Sequence, residues 1–85
     1  MESKKVINKI EKLEKIIKTI DKYLDFKNLK AQGVITDKTL KFIENINNIK
    51  NRIKNNQIRM EEILNLKKKI NEVRIFLLTK FYHYV

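Results

Sequence analysis

The residues able to carry acid–base, nucleophilic or metal chemistry are few, and their spacing does not suit it. His83 is the sole histidine and there is no cysteine, so the sequence offers no metal-ligand set, no thiolate nucleophile and no Ser/His/Asp relay. Glu61 and Glu62 are adjacent, and on a helix neighbouring side chains diverge by about 100°, so the two cannot bracket a substrate as acid and base. They suit the acidic first turn of a helix instead. Phosphate loops and nucleophile elbows are glycine-rich, whereas Gly33 is the single glycine here. The expectation is a protein with no catalytic residues, no metal, no cofactor and no small-molecule substrate.

What remains is charge. Twenty cations stand against ten anions, a formal net charge of +10, and Lys outnumbers Arg 17 to 3. Richness in Lys, Ile and Asn is what AT-rich coding produces, which suggests a phage, viral, plasmid or AT-rich microbial origin. Codon bias accounts for Lys over Arg better than for cations over anions, so the field is read as favouring an anionic partner. On a helix, Glu11, Glu14, Asp21 and Asp25 fall within about 80° of one another and would face lysines of a neighbouring helix. Lys5, Lys9, Lys12, Lys15, Lys22, Lys27 and Lys30 take the back and the other flank as a cationic strip. Candidates for phosphate contacts are Lys12, Lys15, Lys22, Arg59, Lys67, Lys68, Lys69 and Arg74, which would position a nucleic-acid backbone without reading bases. Lys67 to Lys69 are consecutive, so they point three ways and form no single patch.

The elements that hold these charges must be helices. With no proline and one glycine, backbone punctuation is nearly absent. Val6, Ile10, Leu13, Ile17, Ile20 and Leu24 recur at spacings of four and three, one apolar stripe of a helix. Gly33 reads as the left-handed residue that ends this helix, with Val34 returning onto Leu29. Thr36 then caps the next helix, and Ile35 and Leu40 form its hydrophobic staple. The segment Leu29 to Asp37 resembles the turn of the short two-helix SHOCT-type modules, which implies a tight helical hairpin. The likeness covers nine residues, and the acidic run that follows in those modules is replaced by Lys38-Thr39-Leu40-Lys41.

Beyond Asp37 the apolar positions can be threaded onto one long heptad register, giving two helices and a coiled-coil hairpin. That register places Asn56, Lys67 and Arg74 on the seam. The apolar faces of 42–53 and 63–84 also differ by about 130°, more than supercoiling supplies over that distance. A break at Asn55-Asn56-Gln57 is the better reading. The fold class is therefore all-α, an antiparallel hairpin extended to a three-helix bundle, with residues 1–85 one domain and helices near 3–32, 37–54 and 57–83.

The C-terminal ten residues hold four of the seven aromatic side chains. Ile75, Phe76, Leu78, Phe81, Tyr82 and Tyr84 wrap most of their helix in apolar surface, more than one helix of a small bundle hides. They are the candidate interface for a second copy, giving a homodimer, or for another helical protein. No apolar run approaches the roughly 20 residues of a membrane span. The absence of cysteine points to a reducing, intracellular compartment.

Overall fold

The structure is a computed structural model that describes residues 2–85. It contains α1 (Glu2–Asp21), α2 (Phe26–Ala31), α3 (Asp37–Lys54), α4 (Met60–Lys80) and a terminal 3-10 turn, Tyr82–Tyr84. Every regular element among the described residues is helical, and the helices pack on one another.

The first helix is two helices, not the single one expected over 3–32. α1 ends at Asp21, its last turn closed by the Leu24 N–H donating to the Ile20 carbonyl at 2.9 Å. The chain then extends at Asp25 (φ −95°, ψ 116°), whose carboxylate accepts the Lys27 N–H at 3.0 Å and caps α2. Packing explains the break. At about 100° per residue, an unbroken helix would turn Phe26 about 120° and Leu29 about 180° away from Ile20. The kink re-aims both, and Phe26 and Leu29 join the core at 6% and 7% exposure.

At the end of α2 the Gly33 N–H donates to the Lys30 carbonyl and the Val34 N–H to the Leu29 carbonyl, at 3.0 and 2.9 Å. This double closure with Gly33 at φ +75° is the Schellman arrangement. Thr36 Oγ1 accepts the Thr39 N–H at 3.1 Å, and the staple residues Ile35 and Leu40 are both buried. α3 stops the same way without glycine: Asn56, at φ +56°, donates its N–H to the Ile53 carbonyl, and Gln57 donates to that of Arg52. Asparagine tolerates the left-handed region better than most residues. α3 and α4 are thus separate helices, and the continuous 42–81 register does not form.

α1 is the shared spine, packing against both α3 and α4. The fully covered Val6, Ile10, Leu13 and Ile20 come from α1, and Ile70 and Leu77 from α4. Burying each such side chain contributes about 1.5–3 kcal/mol. Contacts order the helices. Glu14 meets Lys50, whereas Asp21 and Phe26 line a cleft with Leu40 and Ile43, so residue numbers on α1 and α3 run in opposite senses. Lys9 and Lys12 lie beside Asn71 and Arg74, and Tyr23 beside Tyr84, so α1 and α4 run in the same sense.

Candidate functional site

The charged face of α1 is divided as its spacing predicts. Glu14 turns to α3, where its Oε1 accepts from Lys50 Nζ at 2.8 Å, with both side chains largely covered. The hydrogen bond to Glu14, reinforced by the fields of Glu14 and Glu11, raises the Lys50 pKa above its ordinary value against the effect of desolvation. At the α2–α3 turn, Asp37 pairs with Lys41 at 3.0 Å and Lys30 at 3.8 Å. Its carboxyl is held below the ordinary range, first by the Lys41 hydrogen bond and then by the two ammonium charges, while desolvation opposes them.

With the acids of α1 turned toward α3, the flank of α1 beside α4 is cationic. Lys9 and Lys12 share a crevice of about 230 Å³ with Asn71 and Arg74 of α4. Lys12 and Arg74, 62 positions apart in sequence, are thereby brought together. Lys9, a member of the cationic strip, and Asn71, which the sequence pattern does not single out, complete the cluster. The other candidate cations do not join it. Lys15 is exposed on α1 and Lys22 in the turn just after it, Arg59 stands at the start of α4, and Lys68 is exposed. Lys69 points to the opposite side of α4, into an apolar groove between α3 and α4. Lys67 is half-buried.

The apolar C-terminal residues divide as well. Phe81 does not belong to a partner-facing surface: it is 6% exposed and caps the core, in an edge-on contact with Phe76 at 6.4 Å. Phe76 and Leu78 are half-buried, whereas Ile75, Tyr82 and Tyr84 are exposed. Tyr84 rests on Tyr23 with ring centroids 5.5 Å apart, and His83 stacks on Tyr82 at 3.9 Å. Ile75 has company that periodicity could have revealed. Met60 and Leu64 lie within about 60° of it on α4, and the three side chains are 59%, 54% and 57% exposed.

A second apolar surface was not foreseen. Because α3 and α4 each pack on α1 more than on one another, a groove of about 480 Å³ opens between them. Its apolar lining is Phe42, Ile49, Ile58 and Leu66, and it is bridged at the rim by Arg52 and Glu62, 4.0 Å apart. Phe42 and Ile49 look like core positions of a stripe in the sequence; only the spread of α3 from α4 leaves them half-covered.

Among the described residues no three of His, Asp and Glu converge as a metal set, and no helix is long and apolar enough to cross a membrane. Compared with known protein families, characterised proteins and solved structures, the chain finds no match.

Proposed function

We propose that the protein is a small, non-enzymatic interaction subunit that docks on a partner through the outer face of α4. The reading includes an antiparallel α1–α3 hairpin that carries α4, an intracellular setting, and self-association or a helical partner at that face. One observation carries it: Met60, Leu64 and Ile75, within about 60° of one another on α4, and Tyr82 beyond its end are each more than half exposed. Large apolar side chains left in water on one helical face support an interface there. The cationic flank of α1 borders the same helix, so an acidic or nucleoprotein partner suits it better than a basic one.

Light scattering behind size exclusion tests the self-associating form. The expected mass is that of two chains, and Ile75→Asp should give one chain with unchanged helicity, since a charge would be buried in the contact. A wild-type particle of one chain's mass at all concentrations and salts would end the dimer reading.

A second reading, nonspecific nucleic-acid binding, is favoured by the convergence of Lys9, Lys12 and Arg74. Salt separates the two. Copies carrying +10 each repel, so added salt should strengthen an apolar self-contact, whereas it weakens binding to a phosphate backbone. The absorbance ratio across the same chromatographic peak reports any nucleic acid carried with the protein.

A further inference from the structure

The crevice between α1 and α4 has the composition of an anion site. Each helix contributes residues three apart, Lys9 and Lys12 from α1, Asn71 and Arg74 from α4, and such pairs sit about 60° apart on one helical flank. Lys9 and Asn71 are half-buried and make the inner part, while Lys12 and Arg74 are exposed at the rim. Among the described residues the lining therefore offers three cations and one amide, with no carboxylate.

Among the described residues no acid of α1 or α4 lines the crevice. Glu14 is held by Lys50, Glu62 approaches Arg52, and Asp21 and Glu72 line clefts shared with residues of α3 or the turn before it. Among the described residues no ion pair involves Lys9, Lys12 or Arg74. Three cations brought this close repel one another, and an anion between them relieves that repulsion.

We infer that this crevice binds a backbone phosphate of nucleic acid. The inference rests on the nucleic-acid reading above and names its contact point. Arginine, lysine and asparagine are the side chains that donate to phosphate oxygens in such complexes, and the Arg74 guanidinium can donate two parallel hydrogen bonds to one phosphate. Lys5 lies on the same flank of α1 as Lys9 and Lys12, within about 60°, so the strand's neighbouring phosphates meet further positive charge.

The test is fluorescence anisotropy with a labelled mixed-sequence duplex of about 20 base pairs, titrated between about 50 and 200 mM salt. Wild type should bind with a steep negative slope of log affinity against log salt. Lys12→Ala/Arg74→Ala should weaken binding and make that slope shallower by about 0.9, the value for one phosphate contact. The charge-matched control Lys38→Ala/Lys80→Ala, on exposed residues of α3 and α4, should leave the slope near wild type. Equal losses in the two double variants would overturn the crevice site while leaving nucleic-acid binding intact. A wild-type protein that ignores the duplex overturns both, including the case in which it binds phosphatidylserine vesicles or polyglutamate instead. Circular dichroism of each variant confirms that the helices persist.

Discussion

Two residues with left-handed backbone end the helices that reverse the chain, and they respond oppositely to substitution. Gly33 sits at φ +75° with nothing within 4 Å of where a Cβ would be. Gly33→Ala therefore meets no steric neighbour and should lose only conformational energy, about 1 kcal/mol, read as a lower urea midpoint. Asn56→Gly at φ +56° should move the midpoint the other way, by less than about 1 kcal/mol. Both sites are legible in the sequence, Gly33 as the sole glycine and Asn56 from the polar trio in which it lies. Asp25 is not. The apolar spacing of four and three runs on to Leu24, which presents Asp25 as one more surface acid. Its capping role shows only once Phe26 and Leu29 are known to need re-aiming into the core.

At the level of elements, α4 shows why a helix rich in apolar residues on all sides does not reveal its own partition. The sequence marks Phe81 and Tyr82 alike as candidates for a partner surface. The fold assigns Phe81 to the core and leaves Tyr82 62% exposed, because α1 lies alongside α4 and covers part of its circumference. Phe81→Ala should cost about 3–5 kcal/mol of stability, a large share of what an 85-residue chain possesses at roughly 0.1 kcal/mol per residue. Tyr82→Ala should shift chemical denaturation by no more than about 0.5 kcal/mol in the isolated chain. The crevice was half legible for the same reason. Lys12 and Arg74 are visible as cations on helices, but their meeting depends on which flank of α1 takes α4 and with what offset, and no local pattern encodes that.

For the molecule as a whole, a body of 36 × 22 × 18 Å carries +10, and three of its acids, Glu14, Asp37 and Glu62, join helices through ion pairs. The Lys50–Glu14 bond ties α1 to α3 and links stability to alkaline pH. Lys50 has its folded pKa raised above the ordinary 10.5, so its contribution is fully present below that value and is lost as pH climbs through the raised one. Asp37 works in the opposite sense. Its folded pKa is lowered from 3.8, so its contribution holds above that value and fades as pH falls through the lowered one. Thermal melts from about pH 9 to about pH 12 should show the wild-type midpoint falling more than that of Glu14→Gln, which lacks the linkage from the start. Parallel curves would mean that the bond contributes nothing to folding. Helical content was readable at this scale from the scarcity of glycine and proline together with the apolar spacing of three and four. The spread of α3 from α4 was not, since it follows from both packing on one spine.

The same-sense alignment of α1 and α4 also shapes how the chain must be made. During synthesis α1 emerges before α3 and can pair early with it, yet one side of α1 waits for α4, which follows later in the chain. Until Phe81 has been added and released from the exit tunnel, that flank of the nascent chain stays wet, an opening that a cotranslational chaperone or a second nascent copy would be first to find.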